Sequence, residues 1–429
     1  MSIGYACLAL GVPNTELKTC LIKNADSKRL QELITGNLDA LDRMVDYNIR
    51  NGIRLFRISS EIIPFASSPV NTVPWAQVFQ GQLQDIGRKI RESGMRISMH
   101  PGQYTVLNSP DEKTAANAVK ELEYHAAFLD GLLSDSSSKI VLHLGGAYGD
   151  KHAATKRFIK RYKALNDHVK ARLVIENDDR IFNIGDVLET GIANSIPVVF
   201  DNLHHQTNPS QDSISEAAWI AECAKTWAPK DGRQKIHYAQ PDTEKKPGAH
   251  SASIGIDAFL CFYESLGTIR PDIMLEVKDK NISAVKCMLC TQMRSMGDLE
   301  REWGRYKYLV LERSQQIYRQ IRQLLNNKAE YPALEFYRLM EAALALPVNT
   351  GGAINAAEHV WGYFKDLAAP KEKKAFLKCM DGYASGKGTL AAVKRKLYAL
   401  SQAYGQEYLL ESYYFVKQYD RNAAQGEEH

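Results

Sequence analysis

The chain lacks the features of exported and membrane-spanning proteins. No apolar run reaches the roughly 18–20 residues that cross a bilayer, and the first residues, MSIGYACLALG, lack the basic segment that opens a signal peptide. Cysteine is scarce: the seven residues are odd in number and scattered, as in proteins with reduced thiols. We therefore expect a cytoplasmic protein that does not contact membranes.

A strong charge of one sign is also missing. The 54 Lys and Arg residues against 50 Asp and Glu give a formal net charge of +4. The excess is confined to residues 301–421, which hold 19 basic and 12 acidic residues. By charge count alone, the first 300 residues would bind nucleic acid poorly. Bound cations would reverse this conclusion if they neutralise several of the carboxylates.

What the sequence does contain is a repeated pattern of apolar strands that end in ionisable residues. The first is the stretch Ser98–Tyr104 (SMHPGQY), where a short apolar run ends at a histidine and then breaks at Pro-Gly. Five other segments share this arrangement, and they are Lys139–His143, Arg172–Glu176, Ile196–Asp201, Gln234–His237 and Asp272–Glu276. The six ionisable residues at these strand ends are His100, His143, Glu176, Asp201, His237 and Glu276.

The first part of the chain alternates strand and helix patterns, and the helices predicted in it include 27–51 and 75–93. Eight such units follow one another over about 290 residues, which predicts a parallel sheet closed into a (β/α)8 TIM barrel of the α/β class. A doubly wound open sheet is the alternative. In a barrel, the C-terminal ends of all strands lie on one face, so the ionisable strand ends would converge there.

Beyond residue 300 the strand pattern stops. A long basic helix is predicted at 303–327, with further helices near 332–345, 353–367, 371–385, 387–404 and 406–416. We therefore predict a barrel domain over 1–300, a separate all-α domain over 301–420, and a disordered tail over 421–429.

The ionisable residues are of the types that bind metal ions. Histidine binds imidazole-seeking metals, and carboxylates supply oxygens that can bridge two ions. Any one of them could instead be an ordinary buried polar residue, but six together at strand ends favour a site for two or three ions. Such sites suit phosphodiester hydrolysis. The candidate ligands are His100, His143, Glu176, Asp201, His204, His237, His250 and Glu276.

Lys235 lies two residues before His237, so both side chains should point into the barrel. A lysine beside metal ligands could pair with a carboxylate, or it could be carboxylated and become a ligand. The sequence leaves both open. The pair Cys287 and Cys290 forms a lone CxxC with no second pair, so we interpret it as two partly buried thiols on a helix.

Six motifs in this order resemble the UV damage endonuclease (UvdE/UvsE) family over residues 1 to about 290. They are SMHPGQY, HLGGAYGDK, IENDDR, FDNLHH, KIHYAQPD with KKPGAHS, and MLEVKDK. The resemblance implies a metal-dependent (β/α)8 enzyme of DNA repair, acting as a monomer on double-stranded DNA that carries UV or other distorting lesions. It implies cleavage 5′ to pyrimidine dimers and (6-4) photoproducts, leaving a 3′-hydroxyl and a 5′-phosphate. The expected ion is Mn²⁺, with Mg²⁺, Co²⁺ or Zn²⁺ as alternatives.

The resemblance also assigns roles to residues. The eight candidate ligands match the family's metal ligands, and Glu176, His237 and Lys235 are the implied catalytic residues, with Lys235 matching a modified lysine. Gln103 and Tyr104 match a pair that wedges into the duplex, and Tyr5 matches a residue near the lesion pocket. Two positions depart from the family pattern: Glu61 stands where some members have a metal-binding histidine, and Ala9 stands where some have an asparagine.

The helical part resembles the YbgA-like (DUF1722) domains through Tyr337–Ala342, His359–Lys365, and Tyr408-Leu409 with Tyr413. Its positive charge favours a DNA-binding accessory module, and a packing or partner-binding domain is the alternative. For the barrel, the competing hypotheses are an abasic-site endonuclease, a metal-dependent sugar isomerase, and a non-catalytic lesion-binding protein.

Overall fold

The structure is a computed structural model that describes residues 1–212 and 214–416. It forms two compact units. The first contains Met1–Ala9, Asn14–Ile254 and Phe259–Val285; the second contains Leu10–Pro13, Gly255–Ala258 and the chain from Lys286 onward. The predicted disordered tail, 421–429, lies outside the described residues, and the predicted domain boundary at residue 300 stays a prediction.

The first unit is built on eight parallel strands. They are β1 (Ile3–Cys7), β2 (Leu55–Ile58), β3 (Arg96–Met99), β4 (Lys139–His143), β5 (Leu173–Glu176), β6 (Val198–Val199), β7 (Lys235–Tyr238) and β8 (Asp272–Leu275). Their order is β6-β5-β4-β3-β2-β1-β8-β7, so β1 lies between β2 and β8. This consecutive order confirms the predicted barrel, and the open doubly wound alternative is wrong.

The backbones of two candidate ligands, Asp201 and His237, connect β6 to β7. The backbone of Asp201 forms a parallel bridge with His237, and the His237 N–H donates to the Phe200 carbonyl at 2.9 Å. β6 is only two residues long, so this bridge continues the sheet from β6 to β7. The barrel is therefore nearly closed at the ends of these strands.

Helices separate the strands in the first unit. They are α1 (Ser27–Asn51), α2 (Trp75–Val78), α3 (Gln80–Glu92), α4 (Glu112–Gly131), α5 (Lys151–Ala164), α6 (Asp167–Arg172), α7 (Ile184–Asn194), α8 (Asn202–Thr207), α9 (Glu216–Ala224), α10 (Ile256–Ser265) and α11 (Asn281–Thr291), of which α10 and α11 extend into the second unit. The predicted bounds of α1 are confirmed: Asp26 caps its first turn by accepting from the Arg29 N–H, and Gly52 ends it at φ 69°. The single helix predicted at 75–93 is wrong, because the chain breaks at Phe79.

Every second side chain of a strand points into the barrel, and these inward side chains form layers that differ in polarity. At the end where strands begin, Lys139 pairs with Asp231 at 2.6 Å and Arg96 pairs with Asp272 at 3.1 Å. The next layer contains two apolar clusters, Val141 with Val174 and Val199, and Ala6 with Leu55 and Met274, together with the buried polar residues Ser98 and Lys235. Two residues further on, the same strands present the ionisable residues. A largely apolar layer thus lies beneath the site.

The second unit is helical throughout its described residues. Beyond α11 its helices are α12 (Met296–Leu311), α13 (Gln315–Asn326), α14 (Ala333–Ala345), α15 (Thr350–Trp361), α16 (Pro370–Ala384), α17 (Leu390–Ala403) and α18 (Glu407–Leu410). The single helix predicted at 303–327 is wrong. Ser314 leaves the helical conformation (φ −150°) and caps α13 by accepting from the Ile317 N–H.

A compact apolar core supports this helical unit. It includes the buried side chains of Val360, Phe376 and Leu397 from three different helices, and of Phe364 from the turn after α15. Within residues 1–212 and 214–416, no helix is both long enough and apolar enough to span a bilayer.

Candidate metal centre

Glu176 is the central residue of the site. It is the last residue of β5 and its side chain is fully buried. Its Oε2 lies 3.0 Å from Nε2 of His100 and 3.6 Å from Nε2 of His143. Its Oε1 lies 2.5 Å from Nδ1 of His237. One carboxylate thus contacts histidines from three other strand ends.

The ligand-type residues form two groups that share Glu176. The first group is His100, His143 and Glu176, and the second is Glu176, Asp201, His237 and Glu276. Within each group the atoms that could bind an ion lie within 4.8 Å of one another. Because a carboxylate has two oxygens, Glu176 can contribute a ligand oxygen to each group.

The two remaining predicted ligands lie at the edge of these groups. His204, in the first turn of α8, has its Nδ1 3.8 Å from Asp201 Oδ1, and its ring centroid is 5.4 Å from that of His143. His250 has its Nε2 3.8 Å from Glu276 Oε2. The structure therefore brings all eight predicted ligands to one end of the barrel, six of them into the two groups.

Several buried polar atoms in the site have no hydrogen-bond partner among residues 1–212 and 214–416. They include Asp201 Oδ2, His237 Nε2 and His143 Nδ1. Buried polar atoms are almost always paired, and leaving one unpaired is costly. All three are atoms that can bind a cation. The residues present therefore fit divalent ions better than they fit a closed network of hydrogen bonds.

Burial and neighbouring charges shift the pKa values of the site in opposite directions. Burial alone would raise the pKa of Glu176, but His237, His143 and His100 outweigh it and hold that pKa well below its usual range. Burial raises the pKa of Asp201. Burial would lower the pKa of His204, but Asp201, Glu176 and Glu276 raise it to about 9. The site thus concentrates negative charge that a cation would neutralise.

Arg57 is a site residue that the sequence analysis missed. Its guanidinium forms an ion pair with Glu276 Oε1 inside the barrel. Burial would raise the pKa of Glu276, but Arg57 and His237 outweigh it and keep the carboxyl ionised. A signal existed, because Arg57 follows Leu55 by two residues in a buried strand and must share its inward face.

Lys235 lies in the interior of the barrel, as the sequence predicted. Its side chain is buried, and its Nζ has no hydrogen-bond partner among the described residues. Burial lowers its pKa well below the usual range, and the positive charges of Arg96 and Arg57 lower it further. Of the two alternatives that the sequence left open, an ion pair of Lys235 with a carboxylate within 4.0 Å is not found among the described residues.

Three residues singled out from the resemblance lie elsewhere. The side chain of Glu61 is exposed, in a short 3-10 helix, and is in neither ligand group. Tyr5 is fully buried on the outward face of β1, where its hydroxyl donates to Asn48 Oδ1 at 2.9 Å and its ring packs on Phe56. The assignment of Tyr5 to the neighbourhood of the lesion pocket stays a prediction. Ala9, the other departure, is buried.

Gln103 and Tyr104 are exposed in the loop that follows His100. The Tyr104 side chain is 67% exposed, unusually open for an aromatic ring. The Thr105 N–H donates to the Gly102 carbonyl at 2.9 Å, and the Val106 N–H donates to the Tyr104 carbonyl at 3.0 Å. These bonds make a tight turn that presents both side chains to solvent, three and four residues after His100.

The lone CxxC lies on a helix, as expected. Cys287 is buried and Cys290 half-buried on α11, and burial raises the pKa of the Cys290 thiol to about 12. A thiol with so high a pKa is a poor nucleophile and metal ligand. Neither cysteine is in the ligand groups of the described residues.

The sequence as a whole matches a known family model. The model described as UV-endonuclease UvdE matches residues 1–305. The chain belongs to this family. Residues 307–418 match a second model, a protein family of unknown function (DUF1722).

Named relatives agree with this membership. A UV DNA damage endonuclease of Clostridium perfringens (strain 13 / Type A) is 38% identical over 405 residues, which cover 92% of this chain and 97% of that relative. A UV DNA damage endonuclease of Bacillus cereus (strain B4264) is 33% identical over 61% of this chain and 83% of its own length. The crystal structure of SacUVDE superposes with a TM-score of 0.63 at 36% identity, over 67% of this chain and 96% of that one.

Proposed function

We propose that this UvdE family member is a metal-dependent UV DNA damage endonuclease. It hydrolyses the phosphodiester bond 5′ to pyrimidine dimers and (6-4) photoproducts and leaves a 3′-hydroxyl and a 5′-phosphate. The observation that carries the proposal is the sharing of Glu176 between two ligand groups, which suits a pair of ions. Two-ion sites of this kind suit displacement at phosphorus.

The proposed ligands divide between at least two ions. His100 and His143 would hold one ion, and Asp201, His237 and Glu276 the other, with Glu176 between them and His204 and His250 completing the shells. Two or three divalent ions, Mn²⁺ in the first instance, would lower the pKa of the attacking water and stabilise charge on the phosphate.

The protein's own groups hold these ligands in place. Arg57 fixes the Glu276 carboxylate, and the Asn177 carbonyl, 2.9 Å from His204 Nδ1, fixes the tautomer of that ring. An imidazole whose Nδ1–H donates to a carbonyl presents its Nε2 lone pair for binding. In His237 the Nδ1 lies 2.5 Å from the Glu176 carboxylate, and Nε2 has no hydrogen-bond partner among the described residues.

Gln103 and Tyr104 are proposed to recognise the lesion. UV dimers weaken pairing and stacking, so a damaged dinucleotide leaves the duplex at lower cost than intact bases do. An exposed aromatic ring can then stack in the space that the bases leave. The short turn after His100 keeps this ring close to the proposed ions.

The ends of the product test the proposed chemistry. If cleavage leaves a 3′-hydroxyl, a DNA polymerase will extend the nicked strand without prior trimming, and a ligase substrate assay will detect the 5′-phosphate. A product that must be trimmed before extension would contradict the proposed bond cleavage, even if cleavage occurs at the expected position.

Lys235 is proposed to be a carboxylated ligand of the metal centre. Its buried Nζ lacks a partner, and it extends from the same inward face as His237. In the modification, the amine nitrogen attacks the carbon of CO₂, one C–O π bond opens, and a proton leaves to water. The resulting carbamate is an anion that Arg57 and the ions could pair with.

Carbon-13 NMR tests this modification. Protein equilibrated with ¹³C-bicarbonate and a diamagnetic ion, Mg²⁺ or Zn²⁺, should show one carbamate resonance, which Lys235→Met should remove. We expect Lys235→Met to retain its fold, because it replaces a buried amine with an apolar chain of similar length. A spectrum with no carbamate resonance in wild-type protein would leave Lys235 as an unmodified buried amine.

The helical region, residues 301–420, is proposed to be an accessory module that binds DNA. Four lysines of α16 have exposed side chains: Lys371, Lys373, Lys374 and Lys378. No ion pair is recorded for any of them in the described part of the chain. Exposed, unpaired lysines on one helix are suited to contact phosphates without reading sequence.

Neutralising part of this surface should weaken DNA binding in a salt-dependent way. For Lys371, Lys374 and Lys378 changed together to Gln, we expect the slope of log affinity against log salt to fall by about 1–3, according to how many lysines contact phosphates. A matched control changes Lys120, Lys163 and Lys230 to Gln, because these are exposed lysines of the barrel unit that likewise form no ion pair in the described part of the chain. Equal slopes for both triple variants and wild type would contradict the module's role.

A further inference from the structure

Two neighbouring loops at the metal centre share one design. β3 and β4 are hydrogen-bonded neighbours, and the ring centroids of the histidines that follow or end them, His100 and His143, are 5.2 Å apart. In the loop after His100, a glycine precedes a tyrosine by two residues (Gly102 and Tyr104). The loop after His143 repeats this spacing with Gly146 and Tyr148.

In both loops the tyrosine ring folds back over the glycine. A methyl group built on Gly102 would lie 2.4 Å from Tyr104 Cε1, and one built on Gly146 would lie 3.0 Å from Tyr148 Cε2. Both rings nevertheless remain open to solvent, with 67% of Tyr104 and 49% of Tyr148 exposed. One face of each ring therefore lies against backbone, while much of the ring surface stays exposed to solvent.

The two loops are joined to each other by Asn108. This fully buried side chain donates from Nδ2 to the Gly146 carbonyl at 2.8 Å. Gly145 has φ +100° and packs so closely that a methyl group there would lie 2.3 Å from Asn108 Oδ1. The second loop is consequently fixed against the loop that carries Tyr104.

Arg157 of α5 holds Tyr148 in this arrangement. Its Nε donates to the Asn108 carbonyl at 2.9 Å, and its guanidinium carbon lies 5.6 Å from the centroid of the Tyr148 ring. No carboxylate pairs with Arg157 in the described residues. The sequence of α5, KHAATKRFIKRYKA, contains six basic residues and no acidic one, although the first 300 residues are close to neutral.

Tyr148 also has an unfavourable backbone conformation. Its φ is +52°, in the left-handed region that non-glycine residues rarely adopt. Backbone strain of this kind is concentrated at functional sites. Here the strained backbone of Tyr148 holds a large aromatic ring in solvent near His143. Burial of apolar surface cannot explain this position, because the ring stays half exposed.

We propose that Tyr148 is a second base-stacking residue of the enzyme and that Arg157 binds a neighbouring phosphate. Tyr148 stacks on a nucleobase beside the position that Tyr104 takes, so the distorted duplex is held between two aromatic rings on adjacent loops. This inference rests on the proposed function for its substrate, double-stranded DNA opened at a lesion. Stacking on an aromatic side chain tolerates any base, which suits recognition of several lesions.

Variants of Tyr148 test the proposal. Tyr148→Leu keeps apolar volume but loses the aromatic face, and Tyr148→Phe keeps the face. On a duplex with one cyclobutane dimer, we expect Tyr148→Leu to lower kcat/KM about 5- to 100-fold and Tyr148→Phe to change it less than about threefold. 2-Aminopurine opposite the dimer should be more quenched on binding of wild type and Tyr148→Phe than of Tyr148→Leu.

The outcomes separate stacking from a structural role and from failure of the proposed function. A wild-type nicking rate for Tyr148→Leu would overturn the proposal. Equal losses of nicking rate in Tyr148→Leu and Tyr148→Phe, together with reduced metal content, would also overturn it, because they would show that Tyr148 only supports His143. If wild-type protein nicks no lesion duplex, the proposed function fails. The stacking role of Tyr148 is then tested only by the affinity for a duplex with an unpaired bubble. Unchanged affinity of Tyr148→Leu for that duplex would overturn the stacking role, and weaker affinity would support it.

Discussion

Replacing Glu176 with glutamine is expected to lower the nicking rate of lesion-bearing DNA by on the order of 10³-fold or more. The amide keeps the size of the side chain but loses the charge and one of the two oxygens with which Glu176 contacts His100 and His237. It can no longer offer an anionic oxygen to each of the two proposed ions. We therefore expect the bound metal to fall by at least one ion per chain, measured by elemental mass spectrometry beside single-turnover nicking.

Glu61→Gln is the matched control for this experiment. It makes the same chemical change in an exposed residue that lies outside both ligand groups. We expect its metal content and nicking rate to stay within about twofold of wild type, as for most surface substitutions. If Glu61→Gln loses an ion and Glu176→Gln does not, the arrangement of ligands described above is wrong. That outcome would restore the metal-binding role that the resemblance gave to position 61.

Removing the ring of Tyr104 is expected to have the second largest effect. Stacking of one base on an aromatic side chain is worth about 1–3 kcal/mol, so Tyr104→Ala should lower kcat/KM for a dimer in matched duplex about 5- to 150-fold. The side chain is 67% exposed, so its loss should not change the thermal midpoint or the metal content. The measurement is single-turnover nicking of duplexes that carry one defined dimer.

Two comparisons make the result for Tyr104 specific. Tyr104→Phe keeps the aromatic face and should retain most activity. A dimer placed in an unpaired bubble should be a better substrate for Tyr104→Ala than a dimer in matched duplex, because the bases are already unstacked. If Tyr104→Ala is equally impaired on both duplexes, Tyr104 does not act by opening the stack.

Much of the barrel followed from the sequence because its strands end in residues that an apolar core does not explain. β4 has the predicted bounds, and β5 and β8 end within one residue of them. The convergence of His100, His143, Glu176 and Asp201 then required only the rule that parallel strand ends share one face.

Other features depended on interactions that a single sequence does not display. Tyr5 matched a family position, but the parity of β1 turns Ala6 inward and Tyr5 outward, where Asn48 of α1 accepts its hydroxyl. The break before Ser314 lies within a continuous helical pattern of residues. It depends on the Ser314 side chain, which caps α13, and a serine at that position is also compatible with an uninterrupted helix. Arg57 was overlooked although its parity was readable, because its partner Glu276 is 219 residues away.

The central claim is that two groups of ligands sharing Glu176 hold ions that cleave DNA beside UV lesions. The most direct test incubates the purified protein with a duplex carrying one cyclobutane dimer, with Mn²⁺ and separately with EDTA, and maps the cut at single-nucleotide resolution. We predict a single nick immediately 5′ to the dimer with Mn²⁺ and none with EDTA. Equal cleavage in EDTA, or cleavage of an abasic duplex with none at the dimer, would contradict the account.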